Sequence, residues 1–312
     1  MIEADASAKL ILFGEHAVVY GRPAIAIPLP SLRARAEVHE ISGGAAGQIE
    51  IVSEDLDTRK WLHESGADDP IAAILNHTLA ELAFKPQTPL CISIQSDIPI
   101  AAGLGSGASV SVAVARALAQ YAGVELPPAT VSRLAFAVER IHHGSPSGID
   151  NTVIAYEQPV YFVRDRVLQP FELKARLHLV LADSGTRTST SLAVAGVRTR
   201  YDADPQAYEI IFDQIGHITD QAYAALRSGD AAPLGDLMTR NQELLKSIGV
   251  SSHEVEELVQ AAATAGALGA KLSGAGMGGY MVALVDDNHA ADVRRALEEA
   301  GGSGMVEVEV GT

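Results

Sequence analysis

The sequence predicts an α+β protein. Three observations carry that reading: period-two alternation and short apolar runs gather early in the chain, helix-period segments cluster later, and the chain finishes strand, helix, strand. Taken in order, Ala8 to Val19 is apolar with few interruptions and reads as a strand. Tyr20-Gly21-Arg22-Pro23 is a tight loop, and Ala24 to Ile27 is a second strand. Leu32 to Ile41 alternates, Ser42-Gly43-Gly44 turns the chain, and Ile49 to Val52 is apolar again, the pattern expected of a hairpin. Apolar residues at Ile71, Ile74, Leu75, Leu79 and Leu82 predict a helix across Asp69 to Phe84. Leu90 to Ile94 reads as a strand, followed by a glycine-rich turn and an alanine-rich helix from about Ser109 to Tyr121. Pro127-Pro128 suits the opening of a helix over Val131 to His142, which Gly144-Ser145-Pro146-Ser147-Gly148 breaks. Leu177 to Ala182 is a strand, and helices are expected at about Pro205 to Arg227, Leu234 to Ser247 and Ser252 to Gly266. Tyr280 to Val285, His289 to Ala300 and Met305 to Val310 complete the chain as strand, helix and strand. A boundary is expected near Arg164 to Leu173, giving domains 1–168 and 169–312.

The 312 residues are 47% hydrophobic, ample for a sizeable core. With 23 basic and 39 acidic side chains the formal charge is −16, which argues against nucleic acid or an anionic membrane as partner. A phosphorylated ligand remains compatible, because backbone N–H groups hold phosphate without net positive charge. The single cysteine, Cys91, lies in an apolar run, reads as a buried inert thiol and fits a reducing, cytoplasmic setting. No signal peptide is expected from Met1 to Leu10, and no apolar run approaches the length of a membrane span.

Four segments suggest chemistry. In Asp97 to Ser109, a glycine-rich turn (Gly103-Leu104-Gly105-Ser106-Gly107-Ala108) opens directly into a helix. Glycine lets backbone approach a ligand, and the free N–H groups of a helix start attract phosphate; the alternative is an ordinary strand–turn–helix joint. Leu272 to Tyr280 holds a second glycine cluster, read either as a ligand approach or as a flexible turn. In the third segment Glu139 precedes Asp150 across a constrained loop, which would let two carboxylates share a pocket, as phosphoryl transfer with Mg²⁺ wants; a cap or turn role is the plainer reading. Adjacent His142 and His143 point in different directions on a helix and read as surface residues. Finally, Lys9 enters an apolar segment, where an ammonium is costly unless it meets an acid or phosphate or snorkels at the strand edge. Glu15 and His16 follow Gly14 in a loop, where binding residues collect. The P-loop, zinc-protease, nucleophile-elbow and protein-kinase signatures are absent.

In this order the four segments resemble the GHMP kinases, and the resemblance spans nearly the whole chain. Gly14-Glu15-His16-Ala17-Val18-Val19-Tyr20-Gly21 and His143 to Asn151 are similar to the branch that phosphorylates mevalonate, as are Ser189 to Val197 and Asn241 to Ser252. The resemblance implies two lobes, an N-terminal ATP-binding domain and a C-terminal domain, with the active site in the cleft between them. It implies ATP and Mg²⁺ as cofactors and conversion of (R)-mevalonate to 5-phosphomevalonate, a step in making isoprenoid precursors. Phosphomevalonate or homoserine is the alternative substrate, and a homodimer is left open. Carried over by residue, Asp150 stands at the attacking hydroxyl. Lys9 lies between that hydroxyl, Asp150 and the γ-phosphate, stabilising transferred charge. Gly103, Leu104, Gly105, Ser106, Gly107 and Ala108 cradle phosphate, and Glu139 and Ser106 hold the metal. Glu15, His16 and Thr190 help place the substrate, and Arg187 offers its guanidinium to the substrate carboxylate. One departure stands out: many family members place a metal-binding serine where this chain has Gly107, which leaves Ser106, Ser109 or a water for that role. A dinucleotide-binding oxidoreductase, suggested by Gly103-x-Gly105-x-x-Ala108, lacks the expected acid at a strand end. A non-catalytic sensor of the same fold would not need Lys9, Glu139 and Asp150 together.

Overall fold

The computed structural model describes every residue except 67, 101, 144–146, 165, 167 and 312, and gives only the backbone of 142 and 143. Its contacts gather into two units that interleave along the chain. The first comprises Met1–Lys9, Leu32–Ile100 and Gly105–Glu157; the second comprises Leu10–Ser31, Ala101–Leu104 and Gln158–Thr312.

In the first unit, strands β1 (Ile2–Phe13, up to Lys9) and β2 (Ala24–Glu40, from Leu32) are joined by β3 (Ile49–Ser53), β4 (Thr58–Trp61) and β5 (Leu90–Ser96). Helices α1 (Pro70–Glu81), α2 (Ser106–Tyr121), α3 (Pro128–His143) and α4 (Ile149–Tyr156) complete it. Helix α1 starts where Asp69 caps the amides of Ile71 and Ala72 and Pro70 fixes the first turn. The expected hairpin between Leu32–Ile41 and Ile49–Val52 is not formed. Instead β5 pairs antiparallel with β2 (Ala36 opposite Ile94) and parallel with β3 (Ile51 opposite Ile92), while β3 makes its hairpin with β4. Burial decides this: Ile92 and Ile94 are almost inaccessible and share a core with Val38, Ile49, Ile51, Ile74, Leu118 and Val138. A strand apolar on so many residues stabilises more as a central strand than at an edge.

The second unit holds β6 (Val160–Phe162), β7 (Gln169–Pro170) and β8 (Leu177–Asp183). Four helices follow: α5 (Thr190–Ala203), α6 (Pro205–Ser228), α7 (Leu234–Ser247) and α8 (His253–Thr264). The chain ends with β9 (Gly269–Leu272), β10 (Tyr280–Val285), α9 (Ala290–Glu299) and β11 (Ser303–Val310). A four-stranded sheet in the order β11-β8-β10-β9 carries the core, with Met281 opposite both Ala182 and Leu272. Phe212 and Ile215 of α6 and Leu258 of α8 pack on the same cluster as Val180, Ala283 and Leu297. Among the described residues no helix is long and apolar enough to cross a membrane.

Candidate active site

Asp150 and Lys9, far apart in sequence, meet in the first unit. Lys9 lies on β1 at 4% exposure, and its Nζ is 3.1 Å from Asp150 Oδ1. The sequence left open pairing with an acid, pairing with a phosphate, or snorkelling at a strand edge; the side chain is buried and paired with an acid. Asp150 sits in the first turn of α4, with its side chain about a third exposed, so one face of the carboxylate stays accessible. Helix α4 is pinned to α3 by a buried polar network. Asn151 donates to the Ser132 carbonyl (3.0 Å) and to its hydroxyl (2.8 Å), and Thr152 Oγ1 lies 3.2 Å from Ser132 Oγ. These bonds between buried side chains join the start of α4 to α3.

That anchoring sets Asp150 against Glu139, on α3. Burial pushes the Glu139 carboxyl up to about 8, the Asp150 charge adds to the rise, and the Lys9 ammonium only partly opposes it. Two carboxyl groups thus face one buried ammonium.

Helix α2 begins beside Lys9. Gly105, its N-cap, has φ +79° and offers no side chain to cap the helix, so the first-turn amides have no such competitor for an anion. A Cβ at Gly105 would come within 2.9 Å of Lys9 Cγ and 3.1 Å of Ile154 Cδ1. The glycine is therefore required twice, for its positive φ and to let the lysine stem pass. No neighbouring atom lies within 4 Å of a Cβ built on Gly103 or Gly107, so this turn is not filled by packed side chains at those positions. The three candidates for the replaced metal-binding hydroxyl also separate. Ser109 is fully buried and donates to the carbonyls of Ser7 (2.8 Å) and Gly105 (3.0 Å), whereas Ser106 is half-buried in the first turn. The single hydroxyl hydrogen of Ser109 is shared between these two carbonyls, which occupies that side chain within the fold.

The second unit carries the remaining expected residues. Glu15, expected at the substrate, has a side chain with no exposure that is bonded by Lys271, itself fully buried on β9. His16, at φ 60°, is also buried; its Nε2 lies 2.8 Å from the Ala275 carbonyl, and burial depresses its pKa. The neutral ring must then carry its proton on Nε2, since a carbonyl only accepts. Arg187 was expected to hold a substrate carboxylate, but its guanidinium already grips both oxygens of Asp183 at the end of β8. That guanidinium holds Asp183 below the usual carboxylate range. Thr190 opens α5, is exposed, and follows the Ser189 cap that bonds Leu192 N. In the second glycine cluster, Gly276 and Gly278 answer to the chain's own backbone. A Cβ there would lie 2.2 Å from the Val250 carbonyl and 2.7 Å from that of Thr186, whereas Gly274 and Gly279 face open space.

Lys271 is the residue that the sequence reading missed. Its signal was the one used for Lys9: a solitary lysine in an apolar strand, here Ala270-Lys271-Leu272. The side chains of His142 and His143, and the helix break at 144–146, lie outside the described residues.

Comparison with known proteins follows this geometry. The family model described as GHMP kinases N terminal domain matches residues 68–158, and that described as GHMP kinases C terminal matches 222–303. A mevalonate kinase of Pyrococcus abyssi is 37% identical, with 98% of this chain and 95% of the relative covered. One from Methanothermobacter thermautotrophicus is 35% identical, with 91% of each covered. Among solved structures, the Methanococcus jannaschii mevalonate kinase superposes with a TM-score of 0.87 at 26% identity, covering 99% of this chain and 98% of that one. The L. major mevalonate kinase in complex with R-mevalonate gives 0.84 at 30% identity, covering 99% and 95%.

Proposed function

Because the chain belongs to the GHMP kinases, we propose that it transfers the γ-phosphoryl group of ATP to the C5 hydroxyl of (R)-mevalonate, giving 5-phosphomevalonate and ADP. The observation that carries the reading is the Lys9–Asp150 ion pair at 3.1 Å beside the uncapped start of α2. Similarity over nearly the full length, at 35–38% identity, to mevalonate kinases of several archaea supports the substrate, as does the fold's match to a mevalonate complex. The product is of the class from which isoprenoid precursors are made. The two family matches fall on either side of residue 168 and support an N-terminal ATP-binding and a C-terminal domain. A cytoplasmic location is supported by the single cysteine, buried and without a disulfide.

In this mechanism the accessible Asp150 oxygen orients the hydroxyl and receives its proton. Lys9, bonded to the other oxygen, fixes the carboxylate and faces the charge that moves onto the transferred group. Backbone amides of Gly103 to Ala108 hold phosphate oxygens, aided by the dipole of α2. Such a reaction needs positioning and electrostatics more than covalent help. The residues present fit a divalent metal: a carboxylate raised to about 8 by burial and a like charge is poised for a cation, and carboxylate with hydroxyl oxygen is a hard donor set. Glu139 and Ser106 would hold Mg²⁺, which when bound neutralises phosphate charge. His16 and Thr190 are assigned to shaping the substrate site; Glu15 acts through its pairing with Lys271, and Arg187 through Asp183.

The test is a substrate panel. Purified protein is supplied with MgATP and mevalonate, phosphomevalonate or homoserine, and ADP release and the phosphorylated product are followed by coupled assay and mass spectrometry. Mevalonate should be strongly preferred; preference for either of the others would overturn the substrate assignment.

A further inference from the structure

We propose that Lys271 is a positioning residue for the transfer: through Glu15 it holds the His16 turn and the 273–279 glycine loop in one fixed arrangement. The proposal rests on the kinase reading above and deepens the Glu15–Lys271 pairing named there.

Three bonds of long sequence separation tie the two segments within the second unit. Lys271 Nζ bonds Glu15 Oε1 and also donates to the Leu272 carbonyl at 2.7 Å. His16 Nε2 meets the Ala275 carbonyl at 2.8 Å, and Ser273 Oγ donates to the Ile11 carbonyl at 2.9 Å. The ion pair lies at the base of this lacing, with no exposure on either side chain. The other face of the loop is held by Val250, whose carbonyl accepts from Met277 N at 2.6 Å and closes on Gly276. Both segments hold uncommon backbone conformations, with His16 at φ 60° and Met277 at φ 56°. Positive φ in such residues persists only where surroundings over-determine it.

A buried ion pair is a poor device for stability, since a well-packed apolar pair of similar volume often does as well or better. What an apolar pair lacks is direction. The ammonium also donates along the chain to Leu272, the residue before the loop, and Leu272 N is in turn held by Gln242 Oε1 at 2.9 Å. The lysine therefore fixes where the glycine loop leaves β9 and where the Gly14–His16 turn lies against it.

Two variants test this in the full-length protein. The first is Glu15→Leu with Lys271→Met, which removes both charges; the second is Glu15→Asp, which keeps them and shortens one arm by a methylene. The double variant should melt within a few degrees of the parent yet turn over at least about 30-fold more slowly, with kcat falling more than KM for mevalonate. Amides in 273–279 and 15–17 should exchange at least about 10-fold faster with solvent while those of α6 are unchanged. Glu15→Asp should fold and lose about 10-fold in kcat. Turnover within about three-fold of the parent in either variant, or exchange that rises uniformly, overturns the proposal, because a merely structural pair would be replaced without loss. Exchange is read without substrate. A parent that ignores mevalonate therefore sinks the substrate assignment alone, and the exchange pattern still decides the role of Lys271.

Discussion

Replacing Glu139 with glutamine should make the nucleotide-free protein more stable while disabling it. In the folded chain the carboxyl is raised from 4.5 to about 8 by burial and by Asp150. The unfolded chain releases the proton near 4.5, so between 4.5 and 8 the folded state binds more protons and its stability falls as pH rises. Below 4.5 the group contributes no pH dependence, and above 8 the full cost is present. At 1.36 kcal/mol per pH unit the cost at pH 8.5 is at most about 5 kcal/mol, and about 2 kcal/mol of it is already present at pH 6. Glutamine keeps the shape and carries no charge. The stability gap between Glu139→Gln and parent should therefore widen by about 2–3 kcal/mol from pH 6 to pH 8.5. Urea unfolding without nucleotide or divalent metal measures this, and starting at pH 6 keeps the protein above its pI of about 5.0. A gap that stays flat or narrows with pH refutes the crowding of Glu139 against Asp150. The same variant should lose turnover by about 10²-fold or more, since the group that destabilises the empty protein is the one assigned to the cation.

Gly105→Ala should cost about 2–3 kcal/mol of stability, from the positive φ and from the 2.9 Å approach to Lys9 Cγ, and should lower kcat more than its effect on melting explains. Thermal melting and steady-state kinetics together separate the two effects. Ser106→Ala should raise the Mg²⁺ concentration required for half-maximal rate with little loss of stability. Ser109→Ala should instead destabilise by about 1–2 kcal/mol and leave the Mg²⁺ requirement unchanged, because its hydroxyl serves the Ser7 and Gly105 carbonyls. A Mg²⁺ titration of both variants checks the pair.

Much of the fold was legible where local pattern and tertiary role agree. The bounds of α7 and β10 coincide with the helix and the strand read from sequence, and α1 lies within the Asp69 to Phe84 stretch marked by its apolar spacing. The failures are non-local. Nothing within Leu32 to Val52 announces that β5, coming later in the chain, will stand between β2 and β3. Nor did local pattern show that β2 continues through Pro28 and Pro30 as one strand. Helix α4 was missed because it is short and its cap is a glycine; α5 was missed because only Ala193 and Val197 are buried, too few for a periodic signal. For the site, the apolar setting of Lys9 demanded a partner, but only resemblance named Asp150. Lys271 made the same demand and was passed over. The burial of Glu15 against Lys271 was not legible, because a motif position says that a residue matters without saying how deeply it lies.

The most direct measurement is a rapid-quench comparison of the parent with Asp150→Asn, using MgATP and mevalonate. Asparagine keeps size and polarity but cannot take up the hydroxyl proton. The parent should yield ADP and phosphomevalonate in equal amounts, and the variant should bind both substrates within a few-fold of the parent while forming product at least about 10²-fold more slowly. Product formation at close to the parent rate would contradict the assignment of the Lys9–Asp150 pair as the reacting centre.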